Sequence, residues 1–369
     1  MSNQAVLMGA SLHLVCFEHR PASPGGRLPA AGGREACGGE TASPHLDALA
    51  AHWPGRRRLG ALLTSGPRAG SVVDLNAAFA VKLALDDVGA PEAEADSLLP
   101  SDPMRFFRHF DAALEHARSV LAFVESCAGR WDSPDLARAG AMLERREVRL
   151  AAPVPAPGKI VGVARNYAAH GAELGQQAAP SEPVLFLKAP SAVAGPEDDI
   201  VIPAASEQTD YEGELAVVIG RRGRRVPAAQ ALSLVAGYTI ANDVSARDFQ
   251  GQRGQHFIGK SCDGFAPLGP ALVTADEIDD PQDLAITTRV SGETMQSART
   301  KEMIFPVAEI LAFASRLMTL EPGDVLLTGT PSGVGMARTP PRWLRDGDVV
   351  EIEIERLGRL HSYVRREKP

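Results

Sequence analysis

The sequence predicts a β-dominated α+β chain, with a small N-terminal α+β domain over residues 1–150 and a larger strand-rich domain over 151–369. Three observations carry this. Residues 151–158, AAPVPAPG, form a Pro-rich junction. After it, short apolar runs recur between turn signals, the pattern of many strands. Before it the pattern is mixed and includes one extended helical period. A chain of 369 residues suits two domains of roughly 150 residues.

The elements follow in order. SLHLVCF (11–17) alternates and reads as an opening strand. Residues 21–57 collect ten Gly and Pro between Pro21 and Pro44, which predicts a flexible insertion that buries little. RLGALLTSG and SVVDLNAAF read as two strands split by Gly66 and Pro67. From Ser101, a capping Ser-Asp and Pro103 precede Phe106, Phe110, Leu114, Ala117 and Leu121, so one amphipathic helix is expected. Beyond the junction, KIVGVA, PVLFLK, DIVIP, ELAVVIG, AGYTIAND, LAITTRVSG, DVLLTG and DVVEIEIE are strand candidates, and FPVAEILAFASRLMTL (305–320) is a helix.

Composition excludes several classes. Lys and Arg total 38 against 46 Asp and Glu, a formal charge of -8, which disfavours nucleic acid and anionic membrane surfaces as partners. No apolar run approaches the roughly 18 residues of a membrane span. The opening MSNQAVLMGASLHLVCFEHR lacks the order of a secretory signal, so a cytoplasmic protein is expected. Cys16, Cys37, Cys127 and Cys262 are scattered without a CxxC pair, which argues for free thiols in a reducing compartment.

Chemistry concentrates in the larger domain. In DYEGELAVVIG, strand alternation turns Glu212 and Glu214 to one face. Two carboxylates about 4 Å apart repel by roughly 4 kcal/mol at an effective dielectric near 20, so a cation or proton is needed between them. The plain alternative is a solvated strand edge. Asp243, ending GYTIAN, adds a third oxygen donor, and no His or Cys cluster accompanies it, which favours a hard cation over zinc. His170 and Glu173 stand at i and i+3 in ARNYAAHGAELG, where the acid can fix the imidazole tautomer for base catalysis. A solvated helix pair would give the same spacing. Only six cations are lysines, and Lys260 sits in the Gly- and Pro-rich apolar FIGKSCDGFAPLGP, placed to stabilise an oxyanion or simply to pair with Asp263. Lys188 in PVLFLKAP poses the same question. Thr330 heads LLTGTPSGVG, a Gly-rich loop whose backbone N–H groups can face anions. It is not a P-loop, and no GxGxxG opens a helix.

Together GVARNYAAHGAELG, FLKAPSAVAGP, DYEGELAVVIG, GYTIANDVSARDFQ, GKSCDGFAPLGP, MIFPVAEILAFASRLMTLEPGDVLLTGTPSGVG and GDVVEIEIE, in this order over about residues 158–355, resemble the fumarylacetoacetate hydrolase family. The resemblance implies a β-roll-like catalytic domain with a smaller N-terminal α+β domain, assembled as a homodimer. It implies a divalent metal, most often Mg²⁺ with Mn²⁺ or Ca²⁺ as alternatives, on Glu212, Glu214 and Asp243. It gives catalytic roles to His170, Glu173 and Lys260. Substrate contacts fall on Arg165, Asn166, Tyr167, Lys188, Arg247, Gln250 and Thr330. QSARTKEMIF departs from the family at Lys301 and Glu302, where many members have Ser or Asp.

The expected function is Mg²⁺-dependent hydrolysis of a carbon–carbon bond in a small-molecule keto acid, an acylpyruvate or fumarylpyruvate, by water activated at His170. Two alternatives share the apparatus. One is decarboxylation or isomerisation of a β-keto or enol diacid, of the oxaloacetate or hydroxyheptadienedioate type. The other is a tailoring reaction on a bulkier diketo substrate. A non-catalytic binding protein is disfavoured, since every catalytic side chain is present.

Overall fold

Leu, Val and Ile make up most of Gly213–Ile219, Val235–Asn242 mixes Val and Ile with Ala, Gly and Tyr, and every residue of both strands is buried. Such continuous apolar runs belong at the centre of a sheet. They pair antiparallel, with Gly213 opposite Asn242 and Glu214 opposite Ala241. The computed structural model describes residues 11–20, 57–66, 68–127, 136, 139–175, 178–250 and 255–368. The insertion expected at 21–57 lies outside the described residues, apart from Arg57.

The chain packs as two units. The larger takes in Leu12–Cys16, Pro103–Asp111 and Leu150–Pro369, and the smaller lies within Phe17–Asp102 and Ala112–Arg149. The linear split expected at 150 therefore misses two segments. The start of His13–His19 joins the larger unit because Leu14 pairs with Leu272. Pro103–Asp111 joins it through Phe110, which packs where a Cβ on Gly220 would stand.

In the larger unit the main sheet runs His13–His19, Ala266–Thr274, Val235–Asn242, Gly213–Ile219, Val325–Leu327, Ile160–Ala164, Val184–Lys188. The Val325–Leu327 and Ile160–Ala164 pair is parallel and its neighbours are antiparallel. A second sheet runs Glu293–Arg299, Ala285–Val290, Val349–Ile354, Gly358–Arg366, Ile200–Ile202. Ala285–Val290 and Val349–Ile354 alternate between buried and half-buried residues, as expected of strands with one face on the core. Gly213 faces this second sheet, where a Cβ would stand 2.2 Å from Thr288 Oγ1 and 3.2 Å from Ile352 Cγ2. The helix Val307–Leu317 occupies the stretch expected, buried through Val307, Ile310, Leu311 and Ala314.

The smaller unit pairs Arg58–Leu62 with Val72–Asp74, which pairs with Met142–Leu143. The second of the strands expected there ends early. Asp74 accepts from the Ala77 N–H and caps the helix Leu75–Leu85, so LNAAF is helical. Fully buried Arg58 pairs with Asp74, fixing that cap from the neighbouring strand. The single helix expected from Ser101 is two, Pro103–Arg108 and Phe110–Ser126. Between them the His109 N–H bonds the Phe106 carbonyl, a tighter i-to-i−3 turn that breaks the α-helical ladder.

The close approach at Gly213 makes a prediction. Gly213→Ala must push Thr288 away and should cost about 1–3 kcal/mol by denaturant unfolding. An unchanged midpoint would mean that the two sheets do not meet there.

Candidate active site

Glu212 and Glu214 flank Gly213 on the opposite face of its strand, and Asp243 follows the partner strand. The Asp243 N–H donates to the Glu212 carbonyl at 2.8 Å, extending the ladder past the strand end. The three carboxylates are buried, with ligand oxygens all within 4.8 Å of one another. The solvated-edge alternative is thereby excluded.

Cations surround them. Lys260 Nζ donates to Glu212 Oε2 at 2.6 Å and to Asp243 Oδ2 at 2.5 Å. Lys188 Nζ donates to Asp243 Oδ1 at 2.5 Å and to the Val244 carbonyl at 3.1 Å. Arg247 makes an ion pair with Glu212 at 2.7 Å, and its Nε donates to Asp210 at 2.9 Å. Burial alone would raise the Glu212 carboxyl, but Lys260 and Arg247 hold it well below the usual carboxylate range. Glu214 goes the other way: burial, then the charges of Asp243 and Glu212, push it well above that range. Burial disfavours the Lys260 charge, yet Asp243 and Glu212 outweigh it and raise its pKa. The sequence's alternative partner for Lys260, Asp263, is replaced by these two acids.

The His170–Glu173 pair forms as the spacing predicts. The helix Ala168–Glu173 sets His170 Nδ1 2.7 Å from Glu173 Oε1, with His170 buried. Glu173 Oε2 accepts from the Gly333 N–H at 2.8 Å. With Nδ1 bound to a carboxylate, Nε2 is left for the cavity that His170 lines.

The Gly-rich loop after Leu327 behaves differently from expectation. Its N–H groups do face anions, but those anions are the protein's own carboxylates. Gly329 donates to Glu214 at 2.6 Å, Gly333 to Glu173, and Gly335 and Met336 to Asp210 at 2.8 and 3.1 Å. Gly329 and Gly333 adopt φ of +97° and +107°, which glycine tolerates best. The Thr330 hydroxyl donates to the Gly213 carbonyl at 3.0 Å and accepts from Gln296 at 2.7 Å.

A cavity of about 360 Å³ opens onto His170, Glu212, Glu214, Lys260, Arg165, Arg247, Gln250 and Thr330. Three expected substrate contacts do not line it. Asn166 is fully buried; its amide donates to the Phe305 and Thr328 carbonyls at 3.0 and 2.8 Å and accepts from the Phe305 N–H at 2.8 Å. It clips the Gly-rich loop to the segment before the Val307–Leu317 helix. Tyr167 is buried and bridges to Met303. Lys188 holds Asp243 from behind. Sequence reasoning misses Asp210, Phe186, His256 and Gln296. Asp210 stands in DYEGE but belongs to a separate short strand, Thr209–Asp210, paired with Ser245–Ala246, so no alternation links it to Glu212 and Glu214. Phe186, His256 and Gln296 carry no spacing signal.

The donor set fits a hard divalent cation: three buried carboxylates on one site, with no His or Cys among them. Glu214 must ionise to take part. A carboxyl raised in the folded state stabilises the metal-free protein below its ordinary value of 4.5, and that stability is lost as pH rises through the raised value. Cation binding runs opposite, because it requires the ionised form. Affinity for Mg²⁺, by titration calorimetry, should therefore climb with pH above 4.5; a flat profile would contradict the Glu214 assignment. Asn166→Ala should cost about 1–3 kcal/mol for each carbonyl left unpaired. Wild-type unfolding in that variant would show that the clip is dispensable.

Residues 159–365 match the family described as Fumarylacetoacetate (FAA) hydrolase C-terminal. Over 219 residues the chain is 51% identical to oxaloacetate tautomerase FAHD2A, mitochondrial, of Bos taurus, covering 59% of this chain and 69% of that one. Over 270 residues it is 41% identical to oxaloacetate tautomerase YisK of Bacillus subtilis (strain 168), covering 72% and 87%. It also resembles the solved fumarylacetoacetate hydrolase from psychrophilic Exiguobacterium antarcticum, at 34% identity and a TM-score of 0.64, covering 97% of this chain and 100% of that one. With the match running through more than half its length, the chain belongs to the fumarylacetoacetate hydrolase family of enzymes.

Proposed function

We propose that the protein is a tautomerase of a small 2-oxo diacid of the oxaloacetate type, using Mg²⁺. The observation that carries this is the high identity to two proteins named oxaloacetate tautomerase, one mammalian and one bacterial. The alternative weighed from the sequence is thus better supported than carbon–carbon hydrolysis.

The cavity supports a proton-transfer reaction. A divalent cation on Glu212, Glu214 and Asp243 would supply Lewis acidity toward the carboxylate and 2-oxo oxygens of the substrate. His170 carries the proton between the carbon beside the 2-oxo group and the oxygen. Glu173 holds the ring by Nδ1, and Gly333 holds Glu173. With Nδ1 so held, Nε2 faces the cavity for both transfers. Lys260 lines the cavity and offsets negative charge on the substrate oxygens. No water is consumed and no carbon–carbon bond breaks.

A second reading rests on the same dyad. His170 oriented by Glu173 equally suits activation of water, which would make the protein an acylpyruvate-type hydrolase. The experiment compares enol-oxaloacetate ketonisation, followed by ultraviolet absorbance with Mg²⁺ present, with pyruvate release from acetylpyruvate. Ketonisation well above the Mg²⁺-only control, falling about 100-fold or more in His170→Ala, is the expected result. Pyruvate release from acetylpyruvate without ketonisation would overturn the tautomerase reading in favour of the hydrolase.

A further inference from the structure

His256 occupies the N-terminal end of the short helix Phe257–Lys260 and lines the cavity. It stands four residues before Lys260, so the two side chains share a helical face. Both lie against one ring. The His256 and Phe186 centroids are 5.5 Å apart, and Lys260 Nζ is 5.2 Å from the Phe186 centroid. Lys260 marks the triad end of this wall, because it bonds Glu212 and Asp243.

A chain of hydrogen bonds decides which imidazole nitrogen carries the hydrogen. Arg247 can only donate, and its Nη1 lies 2.7 Å from one side-chain amide atom of Gln250, which must therefore be Oε1. The Gln250 Nε2 is then a donor, 3.0 Å from His256 Nδ1. Nδ1 must accept, so in the neutral ring Nε2 carries the hydrogen. Burial, reinforced by Lys260, holds the His256 pKa below its ordinary value of 6.5, so the ring is neutral at pH 7. No described residue bonds Nε2, and the atom is not sealed from solvent. The neighbouring walls, Val163, Val184 and Leu174, are apolar.

We propose that His256 is the specificity residue for a dicarboxylate, its Nε2–H donating to the carboxylate at the far end of a 2-oxo diacid whose head lies at the triad. The assignment rests on the 2-oxo diacid reading above. Residues four apart on a helix lie about 5–6 Å apart at Cβ. A 2-oxo diacid with a backbone of four or five atoms spans about 4–5 Å between its carboxyl carbons, from bonds of about 1.52 Å, so one molecule reaches from Lys260 to His256. A 2-oxo monoacid leaves the donor unused.

Two non-reacting probes test this in the full-length protein with Mg²⁺, by titration calorimetry. Oxamate carries the 2-oxo-acid head alone; N-oxalylglycine carries the same head with a distal carboxylate. Wild type should bind N-oxalylglycine about 10-fold more tightly than oxamate, the expected worth of a hydrogen bond to a charged group. His256→Phe keeps a ring against Phe186 but removes the N–H, and should erase the preference while leaving oxamate affinity unchanged. His256→Gln keeps an N–H donor and should retain most of the preference. Equal loss for both probes in His256→Phe, or a preference that survives it, would overturn the proposal. If His256→Phe fails to fold, a preference absent from wild type or from folded His256→Gln would overturn it too. Binding is read without turnover, so failure of the tautomerase reading in the ketonisation assay leaves this result to stand separately.

Discussion

The site depends on burying four carboxylates together, Asp210, Glu212, Glu214 and Asp243, each at most 5% exposed. An unpaired buried charge is far too costly to tolerate, so each needs a partner. The protein supplies two kinds. Lys260 and Arg247 bring charges that the acids hold in place, and Lys188 pairs with Asp243, although burial lowers its pKa. The Gly-rich loop brings backbone N–H groups to Asp210, Glu214 and Glu173. One loop therefore positions a carboxylate of the candidate metal triad and the carboxylate that holds His170. Its geometry requires glycine: a Cβ on Gly333 would stand 2.0 Å from the Met295 carbonyl oxygen.

Much of this was legible in the sequence because the relevant spacings are local. Glu212 and Glu214 are two apart on a strand, and His170 and Glu173 are three apart on a helical turn. Each periodicity turns the pair to one side without help from the rest of the fold. Asp243 by itself reads as a turn or cap residue, and it was legible as a donor only beside Glu212 and Glu214. The strand Ala266–Thr274 was not, because Gly269 and two prolines mask a run that is buried almost throughout. Lys301 and Glu302 stay at the surface, both exposed, so their departure from the family pattern does not reshape the cavity wall.

What the spacing could not carry was direction. ARNYAAHGAELG placed Arg165, Asn166 and Tyr167 beside His170 in sequence, and all three were expected at the substrate. Arg165 has φ of +58°, and this turn into the helix sends its neighbours to different places. Arg165 lines the cavity, while Asn166 points into the core and ties together segments 139 and 162 residues away. Gln296 is the complementary case. It looks like an ordinary polar strand residue, yet it accepts from the Gly213 N–H and donates to Thr330 and Pro331. Contacts at such separations leave no periodic trace.

The charge sum also bears on the order of binding. With Glu214 ionised, the four acids outnumber Lys188, Lys260 and Arg247 by one, and the buried cluster is net negative. A cluster so charged repels an anion. Protonating Glu214 brings the sum to zero, which is the direction in which burial and its acidic neighbours drive that carboxyl. A divalent cation held by Glu212, Glu214 and Asp243 would take the place of that proton and make the sum positive by one. A cation held there would add positive charge to a cavity that Arg165 already lines, and so would strengthen its attraction for an anion. On this arithmetic, and under the function proposed above, the cation would precede an anionic substrate, whose negative charge would then be part of what the assembled site recognises.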